Sequence, residues 1–386
     1  MTMRRMLLAL GLGLASVAAG AQGMRTIDTA LDARPIHDEE DRVWDAAKRL
    51  EQALERSGAI VRDEVIERYL DEIVRRLFPE LADIVRVRLI SSSQPNAMAL
   101  AHGTVLFTTE LIAITSSEAE LAFVVGHEVA HFKLRHSARR RDRSQSVLGA
   151  GNLFGIALPI LAHAVAASAV AAYSRDLERE ADALSLERCN KSGYSLNGGV
   201  NALKKLEEAG KDEGNRTGNA LASHPELAER IKSAGEWVRS DEKTALEDRE
   251  PLHLAKTGDL RMKALRSELA ANRLANVIRK LDTPDKLSLY PFAARIVLLQ
   301  AHLRRSVDED GTRANALLSE YLVREPNSAE ALRVGGEMAY KARDIVNARR
   351  WFELALANEN DLTRRTSIEE YLKWISEDEK AGSSTR

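Results

Sequence analysis

Two histidines and a glutamate raise the question of chemistry. In "VVGHEVAH" (124–131), His127 and His131 stand four residues apart and Glu128 follows the first, among otherwise apolar or small residues. On a helix, positions i and i+4 share one face a turn apart, so both imidazoles can be offered to a single metal ion. Glu128 points about 100° round the axis, where it can reach a water activated by the metal rather than the metal itself. With nine histidines in 386 residues, such a pattern also arises by chance, so it needs corroboration elsewhere in the chain.

A catalytic zinc takes three protein ligands and keeps one position open. The chain has one cysteine, Cys189, which excludes thiolate clusters and internal disulfides; the third ligand must be a histidine or a carboxylate. The position six residues after the second histidine is Ser137, and His136 reads as a solvent-side residue at a helix end. "SRDLEREAD" (174–182) is the best supplier. Glu178 and Asp182 lie one turn apart, so Glu178 can bind metal while Asp182 hydrogen-bonds a ligand imidazole, with Arg175 placed to hold one of the carboxylates. The same pattern also fits a surface helix with i,i+4 charge pairs. In "SHPELAERI" (223–231), Ser223 and Glu226 form a capping box, and His224 is either part of that turn or a functional group.

These residues need elements to place them. Apolar spacing predicts helix from Asp38 to about Phe78, stopped by Pro79. Two or three strands of a small sheet are expected, at 84–90 and 103–109, with turn residues and a short apolar piece between them. A helix from about Ser117 to His136, capped by Ser116 or Ser117 and with Glu118 and Glu120 in its first turn, carries the motif. Further helices are expected near 176–192, 196–210 and 225–240. From about residue 250 the chain reads as entirely helical. There Ala314, Leu318, Tyr321 and Pro326 are answered 34 residues later by Ala348, Phe352, Ala355 and Asn360, and Gly336 takes a close-packing position. This register resembles two tetratricopeptide repeats preceded by one or two degenerate ones, with an unspecialised helical bundle as the alternative.

Other features bound the class. Residues 1–21 combine Arg4 and Arg5, an apolar run and the small residues Ala19-Gly20-Ala21, the pattern of a cleaved secretory signal. A net charge of -2 gives no electrostatic reason for a nucleic-acid partner, and "RRRDR" (139–143) reads as a solvated loop. The uncharged stretch 147–173 is too short for two membrane crossings, and one crossing would separate the candidate ligands on either side of it. It reads as a buried or re-entrant helical pair, with peripheral membrane contact as the alternative.

"GHEVAH" followed by "SRDLEREAD" resembles the zinc peptidase family of the CAAX prenyl proteases and the HtpX heat-shock proteases, and within it the periplasmic β-barrel assembly-enhancing branch. "PNAMALAHGTVLFTTELI" (95–112) and "SHPELAERI" agree with that family's order, so the resemblance covers about residues 40–240. It implies a mostly α fold with a small β-sheet: a gluzincin-like HExxH zinc peptidase domain over 22–245, then an all-α tetratricopeptide-like domain over 246–386. It implies His127, His131 and Glu178 as ligands of one Zn²⁺, Glu128 as general base and acid, and Asp182 as the residue orienting a ligand. His224 would steady the oxyanion or occupy the fourth position. Asn96, Ala97, Gly103, Thr104, Val105 and Leu106 would bind peptide, with 103–109 as an exposed edge strand. The implied protein is a periplasmic endopeptidase for unfolded or misassembled envelope proteins, with the repeats available to envelope assembly machinery. The alternative is a holding or assembly factor with a closed or structural zinc site.

Overall fold

The computed structural model describes residues 25–139, 173–212, 227–240, 247–307 and 309–383. The leader at 1–21, residues 140–143 of the basic tract, the uncharged run as far as 172, and His224 with Ser223 and Glu226 lie outside the described residues. The chain divides into two compact units, Met1–Thr257 and Gly258–Arg386, where the sequence alone suggests a boundary after residue 245.

In the first unit the single helix expected over 38–78 is two, α1 (Asp38–Ser57) and α2 (Glu64–Leu77). Gly58 ends α1 in the left-handed conformation at φ 74°, where a side chain would be strained. A two-residue strand, β1 (Ile60–Val61), fills the break. Asp63 then starts α2 by accepting from the Ile66 amide at 3.3 Å, and Ile66, Leu70, Ile73 and Leu77 form its buried stripe.

Strands β2 (Arg86–Ile90), β3 (Ala97–Ala99) and β4 (Thr104–Thr108) complete a sheet of order β1-β2-β4-β3. β4 runs parallel to β2 and antiparallel to β3, and all five of its residues are buried. This corrects the expected edge strand at 103–109: β4 is interior, and the terminal strand beside it is β3. Val105 and Leu106 have strand neighbours on both sides, and Thr104 pairs with Arg86 on one side while its carbonyl accepts from Leu100 N at 2.7 Å on the other, so their backbone is not open to an added peptide. Gly103, at φ 93°, turns the chain into β4. Asn96 and Ala97, by contrast, belong to the terminal strand and its approach.

Helices α3 (Thr109–Ile114), α4 (Glu118–Lys133), α5 (His136–Arg139), α6 (Arg175–Lys191), α7 (Asn197–Asp212), α8 (Leu227–Ser240) and α9 (Glu250–Ala270) follow. α4 carries the motif. Ser117 caps it by accepting from the Glu120 amide at 3.2 Å, and every residue from Glu118 to Lys133 is buried. A helix enclosed on all sides must pair its charges. Glu118 accepts from Tyr194 Oη at 2.8 Å, Glu120 pairs with Lys205 at 2.7 Å, and Lys133 with Glu80 at 3.2 Å.

α6 comes close to α4 at Gly126, the residue before His127. A Cβ there would stand 2.5 Å from Ser185 Oγ, which donates to the Phe123 carbonyl at 2.7 Å. Gly126→Ala is expected to force the two helices apart, costing about 1–3 kcal/mol and lowering metal uptake, because α6 carries Glu178. Urea unfolding and metal analysis of the variant check this; wild-type values for both would show that the close approach is not required.

The second unit is helical throughout its described residues: the end of α9, then α10 (Leu274–Leu281), α11 (Pro284–Ser288), α12 (Ala294–Arg305), α13 (Asp310–Arg324), α14 (Ala329–Lys341), α15 (Ile345–Asn358) and α16 (Leu362–Ser383). Ala314, Leu318 and Tyr321 of α13 are buried, as are Ala348, Phe352 and Ala355 of α15. Gly336 lets α14 approach α15, since a Cβ would lie 2.9 Å from the Phe352 ring.

Candidate metal centre

Three donor atoms converge from α4 and α6. His127 Nε2 and His131 Nε2 are 3.0 Å apart, and each lies 3.4 Å from a Glu178 oxygen. Ligands about 2.0–2.1 Å from a tetrahedral Zn²⁺ stand about 3.3 Å from one another, so the triangle already has the edge lengths the ion requires. All three residues are buried, and among the described residues they form the one group of histidine, cysteine and carboxylate donors within reach of a single ion. Two imidazoles and a carboxylate suit zinc.

The groups behind the ligands fix their direction. Asp182 Oδ1 lies 2.8 Å from His127 Nδ1, so that imidazole donates through Nδ1 and turns Nε2 to the centre. Arg230, buried on α8, donates from Nε and Nη2 to both Asp182 oxygens at 2.8 Å, and its Nη1 lies 2.9 Å from Glu178 Oε2. The planar guanidinium fork thus holds both carboxylates at once. Arg175, the arginine that sequence spacing favours for this task, is exposed in the first turn of α6. The signal for Arg230 was present: it falls in the helical stripe of Leu227 and Ala234, both buried.

Burial and the Arg230 charge push His127 down, but its hydrogen bonds to Asp182 and Glu178 outweigh them and raise it to about 9. Burial, then the charge on His127, holds His131 well below the ordinary imidazole value. Burial raises Asp182, but Arg230 and His127 overcome it and keep its carboxyl low. A metal would take the place of the His127 proton.

Glu128 is 2 % exposed, and its Oε2 accepts from the Ala99 amide of β3 at 2.8 Å. That bond ties the motif helix to the terminal strand. Asn96 and Ala97 line a cleft with His127, Glu128, Phe123 and Leu203. His136, expected at the solvent side, is fully buried, with its Nδ1 2.9 Å from His131 Nδ1. Tyr173 stacks on His131 with ring centroids 3.8 Å apart. Sequence reasoning missed both contacts.

Glu178→Ala removes the sole carboxylate corner of the triangle. The variant should retain little zinc, whereas a full complement would place the third ligand elsewhere; metal analysis after dialysis checks this.

A helix-borne pair of histidines with an adjacent glutamate, completed by a glutamate from a later helix, defines the metallopeptidase class. Residues 61–238 match the profile described as peptidase family M48. The β-barrel assembly-enhancing protease of Escherichia coli (strain K12) is 23% identical over 312 residues, covering 75% of this chain and 62% of that protein. The metalloprotease YcaL of the same organism is 29% identical over 164 residues, 40% of this chain and 63% of its own length. A mitochondrial metalloendopeptidase of Schizosaccharomyces pombe is 27% identical over 193 residues, 44% of this chain and 52% of the relative. The chain thus spans less than two-thirds of the length of each of these relatives.

Proposed function

We propose that this protein is an exported zinc endopeptidase that cleaves unfolded or misassembled envelope proteins. The ligand triangle with Glu128 beside it is the observation that carries the reading, because a purely structural metal has no use for a buried carboxylate at that place. Bound Zn²⁺ would polarise the scissile carbonyl and acidify a water. His127, His131 and Glu178 hold the ion, while Asp182 and Arg230 keep His127 and Glu178 in place. Glu128, anchored by the Ala99 amide, takes the proton from water and returns it to the leaving amine. His224 would steady the oxyanion or cover the centre at rest.

Substrate binding is assigned to β3. Asn96 O accepts from Thr108 N at 3.0 Å and Leu100 N donates to Thr104 O at 2.7 Å, so alternation turns the backbone groups of Ala97 and Ala99 away from β4. An extended peptide lying along Ala97 would pair through main-chain bonds, a mode with little sequence preference. It also requires a locally unfolded client. The second unit, read as tetratricopeptide-like repeats, would recruit clients or assembly machinery. Among the described residues no helix is long and apolar enough to cross a membrane. The relatives' names support an envelope role, and the leader read at 1–21 supports placement in the periplasm.

The test is to offer one polypeptide in two states, carboxymethylated lactalbumin beside the native form. Cleavage confined to the unfolded form is expected; equal cleavage of both would remove the client class.

A further inference from the structure

We propose that His136 is a positioning residue for His131, with Glu180 and Arg139 holding it in that task. The inference rests on reading His127, His131 and Glu178 as the metal ligands. His131 turns Nε2 to the centre, which leaves Nδ1 for support, and His136 Nδ1 lies 2.9 Å from it. Two imidazole nitrogens at that distance need one N–H and one lone pair between them. A His131 that ligates through Nε2 carries its proton on Nδ1, so His136 must accept at Nδ1 and carry its own proton on Nε2. There Glu180 Oε2 accepts at 3.3 Å. Arg139 grips both Glu180 oxygens, at 2.5 and 2.9 Å, and keeps that carboxylate an acceptor.

The proton order therefore runs one way, from His131 to His136 to Glu180, and fixes the tautomer in which His131 can bind a metal. α6 then serves the whole centre. It supplies Glu178 as ligand, Asp182 directly behind His127, and Glu180 behind His131 through His136. Tyr173, stacked on His131 at 17° between planes, holds the ring in the orientation this chain of bonds needs.

A plain core histidine would support packing but not metal affinity, and this difference supplies the test. Zinc affinity is measured by competition with a chelating indicator for wild type, His136→Ala, His136→Asn and Glu180→Ala, beside thermal unfolding of each zinc-free protein. His136→Ala is expected to lose about 10–100-fold in zinc affinity. His136→Asn, whose amide oxygen replaces the accepting Nδ1, should stay near wild type. Equal affinity in His136→Ala and wild type, or equal losses in the Ala and Asn variants, would overturn the proposal. If His136→Ala does not fold, Glu180→Ala decides: it should weaken zinc severalfold, and unchanged affinity would refute the ordered chain. A wild-type chain that takes up no zinc refutes the metal reading beneath the proposal, an outcome separate from a failure of His136 alone.

Discussion

Glu128→Gln is expected to leave zinc uptake intact and to reduce hydrolysis of an unfolded protein by about 10²–10⁴-fold, the range a general base contributes. The ligands lie on other residues, so the metal does not depend on this carboxylate. A glutamine oxygen can still accept from the Ala99 amide, the bond now made by Glu128 Oε2 at 2.8 Å, so the link between α4 and β3 survives the change. What disappears is the ability to take a proton. Retained cleavage would move the base to another residue, and lost zinc would mean that Glu128 ligates.

Arg230→Ala is expected to lower the unfolding free energy of the zinc-free chain by about 3–5 kcal/mol, because it strips the partner from buried carboxylates. Arg230 is 7 % exposed, and Glu178, which it pairs with at 2.9 Å, is 2 % exposed, so water cannot replace the guanidinium. Arg230→Lys should recover only part of the loss. An ammonium restores the charge but not the fork that meets both Asp182 oxygens and Glu178 together. Urea unfolding of the three proteins after metal removal measures this. A loss under about 1 kcal/mol would show that the carboxylates are held by other groups.

The contrast between these two residues shows what a sequence exposes. His127 with His131, beside Glu128, and Glu178 with Asp182 were legible as two pairs because i,i+4 spacing on a helix is local geometry, but that the two pairs meet was implied only by the family resemblance. Arg230 acts on residues some fifty positions earlier, and its helical stripe says only that it is buried, not what it meets. His136 was misread for a local reason. Continued as helix, it would point well away from His131; instead α4 ends at Lys133, and Arg135 at φ 53° turns the chain so that His136 comes back against the ligand.

The sheet shows the same limit. Strands form at both predicted places, yet both are interior, and which strand forms the edge depends on nonlocal pairing. The uninterrupted Val105, Leu106 and Phe107 mark a strand covered on both faces, but the terminal β3 is buried at all three residues as well, so burial does not say which strand is the edge. The break at Gly58 was also readable, as glycine is the usual residue at a left-handed helix end.

The most direct test of the central claim is a zinc titration of the metal-free chain, with cleavage of an unfolded protein and bound metal read in the same sample. Cleavage should rise in proportion to bound zinc and level off near one ion per chain. Saturation with zinc and no cleavage at any point would contradict the account, leaving a site that binds metal without performing hydrolysis.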